Sequence, residues 1–129
     1  MALADPRTIL ASDGILFDGF GHPRAAGSFP RFLSSYVKER GVVGLNEAVA
    51  KMTILPARRL GLDTRRKGSL GLGADADIVI INCEEIRDRA DFAEPLTPPL
   101  GISQVLLGGR TAVKQGKGKD DRLGRGLRV

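Results

Sequence analysis

The sequence is organised around residues 67–82, which read KGSLGLGADADIVIIN. Ile78–Ile81 is an unbroken run of β-branched residues, which predicts a strand covered on both faces. Before it, Gly71 and Gly73 can supply the positive φ of a tight reversal, and the two aspartates that follow can accept hydrogen bonds from amides of the turn. We therefore expect a short strand, a glycine turn and a buried strand. A phosphate-binding loop is disfavoured, because the glycines precede a strand rather than a helix and no Gly-Lys-Ser/Thr follows.

The composition is that of one globular domain. The chain has 129 residues, of which 42% are hydrophobic and 27% charged, and it can bury a core. The single Cys83 excludes an internal disulfide, and we expect it to be a small buried hydrophobic residue. The first residues lack the basic segment of a signal peptide, and no apolar run approaches the length of a membrane span. These features predict a soluble, cytoplasmic protein.

The net charge of +5 is concentrated in small basic clusters and in the tail Lys114–Val129. A basic, glycine-rich tail could contact phosphates. It has no interleaved aromatic residues on which bases could stack, however, and such charge is more typical of a solvated surface. Nucleic-acid binding is therefore the least favoured class of function.

A helix is predicted between Ser28, which can cap it, and Gly41, which ends it. Its apolar residues recur at helical spacing on one face, formed by Phe29, Phe32, Leu33, Tyr36 and Val37. Two shorter helices are predicted at Leu45–Thr53 and at Pro56–Leu60. After an exposed connection, residues 101–113 predict a hairpin that turns at Gly108-Gly109.

Near the start of the chain, Thr8–Ala11 predicts a short strand that leads into Ser12-Asp13-Gly14. By itself Asp-Gly is typical of a turn. An acid at the carboxyl end of a barrel strand is also where barrel enzymes hold catalytic groups. The single His22 lies in a loop with glycine and proline, and alone it is more typical of a surface histidine than of a metal ligand.

Several motifs resemble those of the N-acyl-D-amino-acid deacylases (D-aminoacylases) of the metal-dependent amidohydrolase superfamily. They are Ser-Asp-Gly at 12–14, His-Pro-Arg at 22–24, Gly-Ser-Phe-Pro-Arg at 27–31 and Gly-x₄-Gly-x₂-Ala-Asp-Ile at 68–78. Residues 47–62 and 101–113 are similar as well, although the deacylases usually have Asn-Gly where this chain has Gly108-Gly109. The resemblance extends over nearly the whole chain.

The resemblance implies roles for two residues. Asp13 occupies the place of the aspartate that ends the eighth barrel strand and shuttles protons for a metal-bound water, and it is also a weak candidate metal ligand in the complete enzyme. Arg24 occupies the place of the arginine that holds a substrate carboxylate, a task suited to the two parallel hydrogen bonds of a planar guanidinium. The implied substrate is an N-acyl-D-amino acid, and the implied cofactor is zinc.

The implied fold class is α/β in two parts. Residues 1–62 correspond to the last strand, substrate loop and helices of a (β/α)₈ barrel, and residues 63–129 to the strands of a C-terminal β-sandwich domain. A complete barrel needs roughly 250 residues, and the His-x-His, cysteine and later histidines that bind metal in the family have no counterpart here. We therefore expect the C-terminal portion of an amidohydrolase acting on linear amide bonds, inactive and without zinc when alone, and joined to further copies of itself or to a missing N-terminal half.

Two other classes of function remain open. The chain could be a non-catalytic module that associates with itself or with a partner protein, which the missing metal ligands favour. It could also be a basic nucleic-acid binder, which only the tail supports.

Overall fold

A computed structural model describes residues 2–18, 20–119 and 122–127. After a 3₁₀ turn at Ala2–Ala4, the helical part comprises α1 (Arg24–Arg31), a π-helical segment (Phe32–Glu39), α2 (Leu45–Met52) and α3 (Ile54–Arg59). The strands are β1 (Leu16–Phe17), β2 (Phe20–Gly21), β3 (Ile78–Ile81), β4 (Ile102–Leu107), β5 (Arg110–Lys114) and β6 (Lys117–Gly118). Within the basic tail, Asp120, Asp121, Arg128 and Val129 lie outside the described residues.

The first helix begins earlier than the sequence predicts. Pro23 precedes α1 without a side-chain cap, and Ser28 lies inside the helix, where its hydroxyl donates to the Arg24 carbonyl at 2.8 Å. The prediction that Ser28 caps this helix is therefore wrong. Pro30 also lies inside α1. A proline removes one backbone donor and crowds the preceding turn, and the wider π-helical segment follows it directly.

The two shorter helices form where they are predicted. The end of α2 at Met52 agrees with the expected span. The start of α3 lies before the predicted Pro56, which leaves that proline in the first turn, where its missing N–H costs no helical hydrogen bond. Gly41 and Gly61 follow helices with φ of 58° and 71°, as expected for glycines that end helices.

The C-terminal half forms an antiparallel sheet in the order β3-β4-β5-β6. The turn between β4 and β5 is the predicted one, with φ of 56° at Gly108 and 78° at Gly109. Two consecutive positive φ values are those of a type I′ turn, whose twist matches that of the flanking strands. The prediction of a hairpin here is confirmed.

Helices and sheet share one hydrophobic core. Its buried members are Phe32, Leu33, Val43, Ala48 and Ile86, and partly buried residues such as Ile81 and Ile102 pack against it. The apolar face of the first helix is therefore largely covered by the chain itself. No helix among the described residues is long and apolar enough to cross a membrane.

Several local predictions are wrong. The strand β3 is not covered on both faces, because Val79 and Ile80 are about half exposed. Residues 67–70 do not form a strand, and the positive φ values of this turn belong to Gly68 and Gly73 rather than to Gly71.

The segment Thr8–Ala11 is not a strand either. A strand needs a paired neighbour for its backbone groups, and the Leu10 N–H donates instead to the carbonyl of Lys51 at 3.1 Å. Cys83, predicted to be buried, is exposed. It lies two residues beyond the end of β3, whose own middle residues are about half exposed.

Candidate active site

The structure brings the two predicted site residues into contact. A guanidinium nitrogen of Arg24 lies 3.1 Å from a carboxylate oxygen of Asp13. Both side chains reach solvent, that of Asp13 being 81% exposed and that of Arg24 44%. Asp13 lies in the irregular segment before β1, and Arg24 is the first residue of α1. The antiparallel pair β1 and β2 lies between them along the chain.

The backbone around Asp13 is irregular and closely packed. Asp13 has a φ of 47°, a conformation that aspartate tolerates better than most residues. The Ser12 hydroxyl accepts the Gly14 N–H at 3.4 Å. A Cβ at Gly14 would lie 2.5 Å from the Cα of Ala25, so this segment packs against the first turn of α1. Only glycine permits this approach, and the approach places Asp13 beside Arg24.

The segment that leads to Asp13 is anchored by Lys51, a residue that the sequence reasoning missed. Lys51 is 1% exposed, and its Nζ donates to the carbonyls of Asp5 at 2.6 Å and Thr8 at 3.1 Å. It also lies 3.3 Å from a carboxylate oxygen of Glu47. The sequence contained a signal for the burial of Lys51, because a residue three positions after Ala48 lies on the same, buried face of α2.

His22 contacts the backbone of Arg24. Its Nδ1 accepts the Arg24 N–H at 3.1 Å, which makes the Nε2-protonated tautomer the one compatible with this bond. The ring also meets Phe92 edge-on, with the centroids 5.0 Å apart and the planes at 74°. The histidine is exposed, as expected from its loop, but it is tied to the residue that the sequence assigns to substrate binding.

The described residues do not fit a zinc site on their own. Zinc sites use about three or four protein ligands. Asp13 is paired with Arg24, and the Nδ1 of His22 already accepts a backbone N–H. Over residues 2–18, 20–119 and 122–127, no group of three or more His, Cys, Asp or Glu side chains could hold a metal ion.

A second charged cluster lies at the glycine turn. Asp75 accepts from Arg66 at 2.5 Å and lies 3.0 Å from Lys67 and 3.7 Å from Arg125. Asp77 pairs with Lys67 and accepts the Gly108 N–H at 2.8 Å. The bond from Arg66 lowers the pKa of Asp75, and the bond from Lys67 lowers the pKa of Asp77.

The two acids therefore join the glycine turn to the tail and to the β4–β5 turn. The prediction that they accept hydrogen bonds from amides within the glycine turn is wrong. They line a cavity of about 580 Å³. Because both acids are bound by cations, we assign them a structural role.

Comparison with known proteins identifies the family. The sequence model of the amidohydrolase family matches residues 2–113. The chain belongs to this family. It is 45% identical over 101 residues to an N-acyl-D-glutamate deacylase of Alcaligenes xylosoxydans xylosoxydans, a match that covers 78% of this chain and 20% of the relative. A D-aminoacylase of the same organism is 40% identical over 107 residues, which cover 83% of this chain and 22% of the relative.

The fold comparison agrees with the sequence comparison. The crystal structure of N-acyl-D-glutamate deacylase from Bordetella bronchiseptica, complexed with zinc and a phosphonate inhibitor, superposes with a TM-score of 0.89 and 39% identity. This match covers 98% of the present chain and 26% of that chain. The resemblance to the deacylases is confirmed, and the chain spans about a fifth to a quarter of the length of these relatives.

Proposed function

We propose that this chain is the C-terminal portion of a metal-dependent hydrolase that cleaves the amide bond of N-acyl-D-amino acids. The observation that carries the proposal is the contact between Asp13 and Arg24, formed within a chain whose fold matches a deacylase over 98% of its length. Membership of the amidohydrolase family supports the reaction class.

In the complete enzyme, Arg24 binds the carboxylate of the substrate. Its exposed guanidinium offers two parallel donors, which suit a carboxylate better than a lysine would. A substrate carboxylate would replace or share the place that Asp13 occupies in the pair. Asp13, exposed and beside the bound substrate, accepts and returns the proton of the hydrolysis.

The same proposal divides the chain at residue 62. Residues 1–62 contain the described helices and belong to the catalytic barrel, whereas residues 63–129 contain β3 to β6 and belong to a β-sandwich domain. The ligands of zinc would come chiefly from the part of the enzyme that precedes this chain in the relatives. The chain alone is then inactive and binds no catalytic zinc.

A chimeric deacylase tests the proposal. This chain replaces the corresponding fifth of the Alcaligenes N-acyl-D-glutamate deacylase, and hydrolysis is measured on N-acyl-D-amino acids with the zinc content determined in parallel. We expect hydrolysis by the chimera, loss of activity with Asp13→Asn and a raised KM with Arg24→Met.

The isolated chain supplied with zinc serves as the control. Stoichiometric zinc together with deacylase activity in the isolated chain would contradict its assignment as a portion of an enzyme. An active chimera that is insensitive to both substitutions would contradict the roles of Asp13 and Arg24.

A second candidate function is a non-catalytic module that associates with itself or with a partner protein. The observation that favours it is the apolar surface of the β1–β2 hairpin, where Ile15, Phe17 and Phe20 are each more than two-thirds exposed. The association measurement described below separates this candidate from the first.

A further inference from the structure

A loop from the C-terminal half of the chain, residues 88–94, contacts α1 and the residue His22 just before it. At one point Phe92 meets His22, the residue whose Nδ1 accepts the Arg24 N–H. The ring of Phe92 is 76% exposed, so burial in a core does not explain its place. Its ring contact is with the residue that holds the backbone of Arg24.

The second contact is with Arg31, about two turns along α1 from Arg24. A carboxylate oxygen of Asp88 is 3.4 Å from the Nε of Arg31, and the Asp88 side chain is 11% exposed. Its carboxylate also lies against Gly27, where an added Cβ would collide with both carboxylate oxygens. Glycine at this position lets the Asp88 carboxylate lie directly against the helix, and a larger residue would displace that carboxylate.

The loop itself is held by two side-chain turns. Asp88 accepts the N–H of Ala90 at 2.9 Å, and Asp91 accepts those of Ala93 at 2.9 Å and Glu94 at 2.7 Å. Such turns fix a short segment without regular secondary structure. Phe92 lies inside the second of these turns, so it is presented to His22 from a restrained backbone.

We propose that residues 88–94 position Arg24, with Phe92 and His22 as positioning residues for the binding of the substrate carboxylate. Phe92 limits rotation of the imidazole, the imidazole holds the Arg24 N–H, and Asp88 holds the far end of the same helix. The orientation of Arg24 beside Asp13 then depends on a segment that is remote in sequence. The inference rests on the proposed function, in which Arg24 binds substrate.

Amide hydrogen exchange on the full 129-residue chain tests whether Phe92 and His22 hold the Arg24 N–H. We expect Phe92→Ala to raise the exchange rate of the Arg24 N–H by on the order of fivefold, the effect of one lost neutral hydrogen bond. His22→Phe keeps an aromatic ring and removes the acceptor, so it should do the same. His22→Asn keeps an acceptor oxygen at a similar position and should restore protection.

Two controls make this measurement specific. Leu72→Ala shortens another exposed apolar side chain, remote from the loop contacts described above, and should leave the Arg24 N–H unchanged. The N–H of the fully buried Ala48, which donates to the Gly44 carbonyl at the start of α2, is remote from these contacts and should be unaffected by each variant. An Arg24 N–H that exchanges equally fast in the native chain and in the Phe92→Ala variant would overturn the proposal.

Kinetics in the chimeric deacylase separate this inference from the proposed function. Phe92→Ala and His22→Phe should raise KM about fivefold with kcat within about twofold, and His22→Asn should restore KM. If Arg24→Met leaves KM unchanged, the proposed role of Arg24 is wrong. If Arg24→Met raises KM and the Phe92 and His22 variants do not, the positioning inference alone is wrong.

Discussion

Asp13 is the residue on which the proposed chemistry depends most directly. The change Asp13→Asn keeps the size of the side chain and removes the carboxylate that exchanges protons. In the chimeric deacylase we expect kcat to fall by a factor on the order of 10² or more, while substrate binding survives. Steady-state kinetics measure this, with Asp18→Asn as the control, because Asp18 is an acid of the neighbouring turn between β1 and β2. Near-normal turnover in the Asp13 variant would refute the role.

Lys51 is the residue on which the path to Asp13 depends. The change Lys51→Met retains most of the buried volume and leaves the Asp5 and Thr8 carbonyls without their donor. We expect the free energy of unfolding to fall by about 1–3 kcal/mol in urea denaturation. Glu47→Gln, on the more exposed partner, should cost less than about 1 kcal/mol. Equal stability of the Lys51 variant and the native chain would show that the anchor is dispensable.

At the scale of elements, the junction between the glycine turn and the β4–β5 turn depends on Asp77. Its bonds with the Lys67 ammonium and the Gly108 N–H hold its pKa below the ordinary value of 3.8. A carboxyl whose pKa is lowered by folding stabilises the fold fully above its unfolded pKa, and that stabilisation is lost as the pH falls through the folded pKa.

The prediction is a pH-dependent difference between the native chain and Asp77→Asn. We expect the Tm of the native chain to exceed that of the variant at pH 7, and the difference to shrink as the pH falls below about 4. Thermal denaturation followed by circular dichroism measures it. Asp18→Asn is the matched control and should show no comparable trend. A difference in Tm that stays constant down to the lowest pH would contradict the linkage.

At the scale of the whole molecule, the exposed apolar surface predicts association. The apolar face of the first helix is largely covered by the chain itself, with Phe32 and Leu33 in the core, so it is not free to form this contact. The exposed side chains of Phe17 and Phe20 take its place as the predicted contact. Light scattering at micromolar concentration should give at least the mass of a dimer, since contiguous exposed apolar side chains of this kind mark interaction surfaces.

A pair of double variants makes the association test specific. Phe17→Ser with Phe20→Ser should return the mass to that of a monomer. Leu70→Ser with Leu72→Ser, on the equally exposed glycine turn, should leave association unchanged. A native chain that stays monomeric would contradict the prediction and the self-associating module, and it would favour a fold that is complete without the rest of a barrel.

Local features of this protein could be predicted from its sequence. The type I′ turn at Gly108-Gly109 and the helix Leu45–Met52 follow from glycine conformations and helical periodicity within a few residues. The motifs around Asp13 and Arg24 identified the family for the same reason, because short stretches carry them. Predictions that depended on partners elsewhere in the chain did less well. Thr8–Ala11 is predicted to be a strand, but no strand among the described residues pairs with it.

Only the tertiary structure decided how these pieces meet. The sequence by itself determined that Asp13, His22 and Arg24 are present, and the fold placed Asp13 against Arg24 at 3.1 Å and Phe92 against His22. It also turned Lys51 inward, to carbonyls far from it along the chain. Contacts of this kind depend on the packing of segments that are remote in sequence, and no local propensity encodes the distance between them.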